Sequence, residues 1–315
     1  MKTKLAVLMD PIEKIKAHKD STLAMLLEAQ RRNYLLHYVT SRGLALHQGV
    51  PWAHLAPLRV FDDITRWYEQ DDAVWQELTS MDMLLIRVDP PFEAEYLYDT
   101  IILEQAERKG LLVVNRAQTL RDCNEKLYAM QFPQCCAPTL VSRSREQLRN
   151  FAGEHGEIVL KPLDGMGGRR IFRSRVDDPN LNVILESLVG EDQHLALAQR
   201  FIPEIRQGDK RILVIDGVPV PYALARLPSG SDFRGNLAAG GHGIGIPLSE
   251  RDRWIVEQVA PDLRRRRLRF VGLDVIGPYL TEINLTSPTC IRELDEQFKL
   301  NIAGLLFDAL ERNTV

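Results

Sequence analysis

Residues 270–284 constrain the fold more tightly than any other segment. Two apolar runs flank Gly277-Pro278, the first carrying Asp274 and the second Glu282 and Asn284. This spacing around a Gly-Pro pair predicts an antiparallel hairpin. Side chains two apart on a strand point the same way, so Glu282 and Asn284 share a face. With a three-residue turn at Gly277-Pro278-Tyr279, Asp274 lies directly opposite Glu282 on that face. Three oxygen-bearing side chains then converge. Such a set suits Mg²⁺, a hard cation that takes few protein carboxylates and completes its shell from water and phosphates. A solvated edge hairpin is the competing reading, but the intervening Leu273, Val275, Ile283 and Leu285 are apolar, which buries at least one side of the sheet.

Upstream, strands are expected at 4–9, 35–40, 83–88 and 111–115, with helices beginning at Asp20/Ser21 and covering 93–109 and 117–131. Strand-like stretches near 44–47 and 56–61 flank a Gly-containing turn. The alternation predicts a mostly parallel α/β sheet, whose ligands bind beyond the carboxyl ends of its strands, where Asp10, Arg87 and Asp89 fall. After the Cys135-Cys136-Ala137-Pro138 connection the pattern changes. A strand at 158–161, broken by Pro162, is followed by a return strand at 171–173, a helix at 181–189 and a hairpin over 210–226 around Asp216-Gly217. From 227 to 247, six glycines interrupt a stretch with neither helical nor strand period, so a mobile loop is expected. A helix at 250–267 and a C-terminal helix near 297–311 close the chain.

Composition excludes several functions. The 315 residues carry a formal net charge of -3, which creates no field for DNA or an anionic membrane. Arg264-Arg265-Arg266-Arg267 ends a helix, where cations suit the dipole. No C-x-x-C or H-E-x-x-H spacing is present, so a zinc site is not expected, and the four cysteines fit a reducing compartment. Cys290 has no histidine at a nucleophile's spacing and reads as a buried thiol. The N-terminal apolar run is too short for a signal peptide or a span, so a cytoplasmic protein is expected.

Lys161 precedes Pro162-Leu163-Asp164-Gly165-Met166-Gly167-Gly168. Glycines there let backbone N–H groups approach phosphates, although a plain hairpin turn is equally compatible and neither common nucleotide fingerprint is matched. Lys161 and Lys126 supply the point charges that phosphates need. A two-residue turn at Asp216-Gly217 pairs Arg211 with residue 222, which shares a face with Arg226, so both guanidinium groups project from one side toward where a transferring phosphoryl group could be stabilised. Arg234, in the Gly-rich loop, would be a third cation delivered on closure.

Segments 158–173, Asn236-Leu237-Ala238-Ala239-Gly240-Gly241 and 272–293, together with Arg87-Val88-Asp89-Pro90-Pro91-Phe92, resemble the bacterial glutathione synthetases of the ATP-grasp superfamily, in the same order across essentially the whole chain. The resemblance implies an α/β ATP-grasp fold with an N-terminal pre-ATP-grasp lobe at 1–122, a central subdomain at 123–200 and a C-terminal subdomain at 201–315 with a lid at 227–247. It implies that Lys126, Lys161, Gly165, Gly167 and Gly168 hold the phosphates of ATP, that Gln199, Phe201 and Ile202 line the adenine site and that Asp209 faces the ribose. Asp274, Glu282 and Asn284 would hold Mg²⁺, with Mn²⁺ as a substitute, while Arg87 and Arg292 would meet substrate carboxylates. The implied partners are γ-glutamylcysteine, glycine and ATP, and the implied assembly is a homo-oligomer, a tetramer in the family. Arg169-Arg170 and His242 depart from the family, which has small residues and arginine there. The alternatives are another ATP-grasp carboxylate-amine ligase, such as a glutamate or peptide ligase, or a silent ATP-binding regulator. A regulator would be expected to lose part of the metal trio or the hairpin arginines, and none is lost.

Overall fold

The computed structural model describes residues 2–88, 92–165, 168–228 and 242–312. The N-terminal lobe is built from β1 (Lys4–Met9), α1 (Ser21–Arg31), β2 (Leu35–Val39), β3 (Leu44–His47), β4 (Val50–Val60), β5 (Tyr68–Gln70), β6 (Val74–Glu77), β7 (Met83–Arg87), α2 (Ala94–Arg108) and β8 (Leu112–Val114). Strands β2, β1, β7 and β8 pair in parallel, and β3, β4, β5 and β6 extend the sheet with antiparallel ladders. The apolar runs of β1 and β7 are buried on both faces, as central parallel strands covered by helices require. Asp20 caps α1 by accepting from Leu23 N at 2.6 Å.

Helix α3 (Ala117–Asp122) and helix α4 (Glu125–Ala129) replace the single helix expected over 117–131. Asn124 is the cause: its side chain accepts from the backbone N–H groups of Lys126 and Leu127 and starts a new helix. The central lobe holds β9 (Thr139–Ser142), α5 (Arg145–His155), β10 (Ile158–Pro162), β11 (Phe172–Ser174), α6 (Leu181–Val189) and β12 (Ala196–Arg200), all four strands antiparallel in the order β11-β10-β12-β9. Pro162 ends β10 as its last residue and does not break it.

The C-terminal lobe follows with β13 (Asp209–Ile215), β14 (Val218–Leu227), β15 (His242–Pro247), α7 (Glu250–Arg265), β16 (Phe270–Ile276), β17 (Tyr279–Asn284), α8 (Ile291–Phe298) and α9 (Ile302–Arg312). Its sheet runs β15-β14-β13-β16-β17. The glycine-rich stretch therefore ends in a strand, since β15 pairs with β14 from Pro247 to His242. Gly243 and Gly245 are used for packing rather than freedom: a Cβ on Gly245 would run into the Phe298 ring. The C-terminal helical region is also two helices. Lys299 turns with a φ of +54°, and Asn301 then accepts from Gly304 N at 2.8 Å.

Two apolar cores join the N-terminal and C-terminal lobes, one running from β1 and α2 to α7 and β16, the other through α1, α8 and α9. The central lobe has a smaller core of its own between its sheet and helices α5 and α6. Among the described residues no helix is long and apolar enough to cross a membrane.

Arg32 ties α1 to α9 through Glu28 at 2.7 Å, Asp308 at 2.6 Å and Glu311 at 3.0 Å. Hydrogen bonds from Arg31 and then Arg32 lower the pKa of Glu28 to about 2, against the opposing effect of burial. A carboxyl whose folded pKa is depressed stabilises the protein above its unfolded value and loses that contribution as pH falls from about 4.5 toward 2. Glu28→Gln should therefore cost about 1–3 kcal/mol near neutral pH and remove part of the acid sensitivity. Urea unfolding of both proteins at pH 7 and pH 3 checks this: equal losses of stability on acidification would refute it.

Candidate active site

The hairpin of β16 and β17 presents its polar residues as the alternation requires, by a different turn. Ile276 pairs with Tyr279, so the turn is the two residues Gly277 and Pro278, not three. The extra residue appears one step later, as an irregularity between the Asp274 and Val275 pairs at Thr281, whose hydroxyl donates to the Asp274 carbonyl at 3.1 Å. The two changes cancel, and Asp274 faces Glu282 while Gly272 faces Asn284. Gly277 has a φ of +54°, and a Cβ there would meet Glu204 at 2.9 Å.

The neighbouring hairpin of β13 and β14 delivers the two arginines. Arg211 pairs with Leu224 instead of residue 222, because two extra residues of β14 enter the ladder between the Val214–Pro219 and Ile212–Ala223 pairs. A shift of two preserves which face each side chain takes. Arg211 Nε donates to Asp274 Oδ1 at 2.6 Å and Nη2 to Oδ2 at 3.2 Å. Arg226 lies 3.0 Å from the same carboxylate and donates to Asp209 Oδ2 at 2.6 Å. Gly272 makes room for this, since a Cβ would meet Arg211 Cδ at 2.7 Å. Burial alone would raise the Asp274 pKa, but Arg211 and Arg226 outweigh it and hold the carboxyl well below the usual range. Burial pushes Asp209 up against the pull of Arg226, and its Oδ1 is buried with no hydrogen-bond partner among the described residues.

The lysines reach Glu282 from the central side. Lys161 on β10 lies 3.2 Å from Glu282 Oε1 and Lys126 in α4 lies 3.9 Å from it, while Lys126 Nζ also donates to the Gly165 carbonyl at 2.6 Å. Burial would raise the Glu282 pKa, yet Lys126 and Lys161 leave it lowered. Asn284 Nδ2 donates to the Gly272 carbonyl at 3.3 Å, which makes Oδ1 the atom a cation would use. Gly168 has a φ of +79°, and a Cβ on Gly165 would meet Pro162 at 2.7 Å. Gly167 and Arg234 lie outside the described residues, as do Asp89 and the Asn236–Gly241 motif.

Lys126, Lys161, Asp209, Arg211, Arg226, Asp274, Glu282 and Asn284 thus form one buried or half-buried set. Of the residues expected to line the adenine site, Gln199 lies on β12, while Phe201 and Ile202 fall just beyond its end, where both are buried and the Arg173 guanidinium covers the Phe201 ring at 3.9 Å. Gln199 donates to Thr139 at 3.1 Å. Arg87 and Arg292 sit elsewhere, on the seam between lobes. Arg87 donates to Thr22 at 3.0 Å and to the Pro288 carbonyl at 2.8 Å, and Arg292 donates to the Ala17 carbonyl at 2.8 Å and pairs with Asp62.

Two polar residues escaped the reading of the sequence. Glu125, the first residue of α4, accepts from Thr286 at 3.2 Å, and burial followed by the nearby Glu282 charge pushes its pKa up to about 7. Asn115, just after β8, donates to the Phe270 and Leu285 carbonyls at 2.8 and 2.7 Å and accepts from Arg269 N and Phe270 N at 2.8 and 3.0 Å, clamping the ends of β16 and β17 to the N-terminal lobe. No local pattern marks either one.

Residues 3–121 match the family described as prokaryotic glutathione synthetase, N-terminal domain, and residues 125–299 match prokaryotic glutathione synthetase, ATP-grasp domain. The chain is 61% identical over 311 residues to the glutathione synthetase of Xanthomonas axonopodis pv. citri, covering 99% of this chain and 98% of that protein. It is 57% identical to the glutathione synthetase of Pseudomonas aeruginosa, covering 98% of each. Among solved structures it resembles the D-cycloserine synthetase DcsG, with a TM-score of 0.68 at 16% identity, covering 98% of this chain and 99% of that one. The ATP-grasp ligase PsnB, complexed with a minimal precursor, Mg and ADP, gives a TM-score of 0.62 at 16% identity over 99% of this chain and 98% of that one. These distant structures share the ATP-grasp fold. With both lobes matched in order and close relatives aligned from end to end, the chain belongs to the prokaryotic glutathione synthetase family.

Proposed function

We propose that the chain is an ATP-dependent ligase that joins γ-glutamylcysteine to glycine, forming glutathione, ADP and phosphate. The observation that carries this reading is full-length likeness to glutathione synthetases, at 61% identity over 99% of the chain. A carboxylate and an amine do not condense in water, so the carboxylate must be activated. In the first step a cysteinyl carboxylate oxygen attacks the γ-phosphorus, the bond to the β,γ-bridging oxygen breaks, and ADP leaves with the electron pair. In the second, the glycine nitrogen attacks the acyl carbon, the carbon–oxygen bond to phosphate breaks, and the amine loses a proton.

This chemistry requires positioning and charge neutralisation rather than a protein nucleophile. Lys126 and Lys161 receive the ATP phosphates, helped by the backbone around Gly165 and Gly168. Arg211 and Arg226 face the transferring phosphoryl group, where preorganised cations act on developing charge. Gln199, Phe201 and Ile202 border the adenine, and Asp209 Oδ1, which has no hydrogen-bond partner among the described residues, suits a ribose hydroxyl donor. The donor set of Asp274, Glu282 and Asn284 is all oxygen, which fits Mg²⁺ and tolerates Mn²⁺. When bound, the ion would offset triphosphate charge. Arg234 would complete the cationic set. Arg87 and Arg292 support the peptide site by bracing the 286–292 segment against the N-terminal lobe. The family reading also makes the protein a cytoplasmic homo-oligomer, a tetramer.

Phosphate release should require ATP, Mg²⁺, γ-glutamylcysteine and glycine together, and omission of any one should stop it. Full activity with glutamate or another peptide in place of glycine would point to a sister ligase instead.

A further inference from the structure

The start of α4 ties together the two elements assigned above to the phosphates. Asn124 lies in extended backbone just before the helix, and its Oδ1 accepts from Lys126 N at 3.1 Å and from Leu127 N at 3.2 Å. Its Nδ2 donates to the Leu163 carbonyl at 3.1 Å. Two residues on, Lys126 Nζ donates to the Gly165 carbonyl at 2.6 Å. The loop that carries Gly165 is thus attached to α4 at two points, through residues two apart in each segment. The partners fix the amide's orientation: turned over, it would set its NH₂ against two N–H donors and its oxygen against a carbonyl.

Capping alone does not call for asparagine, since serine and aspartate cap about as well. A carboxylate has no donor to offer Leu163, and a serine hydroxyl is one bond shorter. Only the amide accepts at the helix start and donates to the loop at once. Helix α4 has five residues, too few to be stable through its own hydrogen bonds, so its cap and its packing decide where it begins. A start displaced by one residue would turn the side chains by about 100° and carry Lys126, 5% exposed and 3.9 Å from Glu282, away from the site. We propose that Asn124 is a positioning residue for phosphoryl transfer: it holds Lys126 and the 163–165 segment in one frame, so that cation and loop meet the ATP phosphates together. The inference rests on the function proposed above, which takes both elements as the phosphate site. An ammonium group has three donors, so Lys126 can keep the Gly165 carbonyl while it binds a phosphate, and the two-point attachment persists with nucleotide present.

The test separates the cap from the tie to the loop. Asn124→Ser keeps a neutral cap and removes the donor to Leu163, whereas Asn124→Ala removes both. Each should raise the KM for ATP by about 3- to 10-fold, the range of one lost hydrogen bond between neutral groups, and leave kcat and the KM values for γ-glutamylcysteine and glycine within about twofold. Only Asn124→Ala should also melt lower, by about 2–4 °C, because only it loses the cap. If Asn124→Ser keeps both the melting temperature and the KM for ATP of wild type, Asn124 is a helix cap and nothing more, and the proposal is overturned. Asn124→Asp, isosteric and equally able to cap, repeats the comparison if Asn124→Ser does not fold, and a wild-type KM for ATP in it overturns the proposal as well. Calorimetric binding of a non-hydrolysable ATP analogue with Mg²⁺ reads the same effect without turnover, and wild type should bind about 3- to 10-fold more tightly than Asn124→Ser. A wild type that binds the analogue but forms no glutathione would count against the proposed activity, while equal binding by wild type and Asn124→Ser would count against Asn124.

Discussion

Asp274→Asn should lose both turnover and stability, whereas Glu282→Gln should lose turnover alone. Both carboxylates belong to the proposed cation site, and each change weakens a partner for a dication that offsets several kcal/mol of phosphate charge, so turnover should fall on the order of 10³-fold. Their protein surroundings differ. Asp274 is 4% exposed and receives Arg211 in a two-pronged contact as well as Arg226. Neutralising it leaves Arg226 with Asp209 and Arg211 with no carboxylate partner among the described residues, and breaking a buried pair from one side costs about 3–5 kcal/mol. For a chain of this size the melting temperature should drop on the order of 10 °C. Glu282 is more open, at 21% side-chain exposure, its contacts with the buried Lys161 and Lys126 are longer, at 3.2 and 3.9 Å, and Lys126 keeps the Gly165 carbonyl as a partner. Thermal unfolding with kinetics at limiting Mg²⁺ separates the two cases. Wild-type turnover in both variants would sink the metal assignment, and a fully stable Asp274→Asn would show that the arginines do not depend on it.

Arg211→Ala and Arg226→Ala should each lower kcat by about 10²–10³-fold and change ATP affinity less, because fixed cations facing the transferring group act mainly in the transition state. The geometry adds a difference between them. Arg226 is shared by Asp209 and Asp274, while Arg211 is committed to Asp274. Removing Arg226 takes from Asp209 the cation that opposes burial, so its raised pKa should rise further. A carboxyl whose folded pKa lies above its unfolded value leaves stability intact below about pH 4 and destabilises increasingly as pH rises through the folded pKa. Arg226→Ala should therefore fall furthest below wild type at neutral pH and recover part of the deficit on mild acidification, unlike Arg211→Ala. Equal pH profiles for the two variants would refute the assignment of Asp209 to Arg226. Abolished ATP binding with intact single-turnover chemistry would make both arginines ground-state binders.

What the sequence alone determined about this protein is a matter of faces. Asp274, Glu282 and Asn284 share one side of a hairpin, as do Arg211 and Arg226. Both statements survived wrong details of turn and pairing because strand side chains alternate with period two. A two-residue turn with one extra residue matches a three-residue turn, and a shift of two residues leaves every face unchanged. The glycine spacing and the motifs that run the length of the chain likewise identified the family before any contact was known. Helix breaks were less visible, since Asn124 and Asn301 act through side-chain caps that a longer apolar period overrides on paper.

Only the tertiary structure decided which of these faces meet. Lys161 reaches Glu282 across 121 residues, Arg211 reaches Asp274 across 63, and Asn115 reaches Phe270 across 155. It placed Arg87 and Arg292 on the seam between lobes, and it left Glu293 Oε2 buried with no hydrogen-bond partner among the described residues. Alternation and capping are local and act between near neighbours in the chain. Pairing and desolvation of charge depend on which lobes pack together, and two shared apolar cores set that packing, which no single segment encodes.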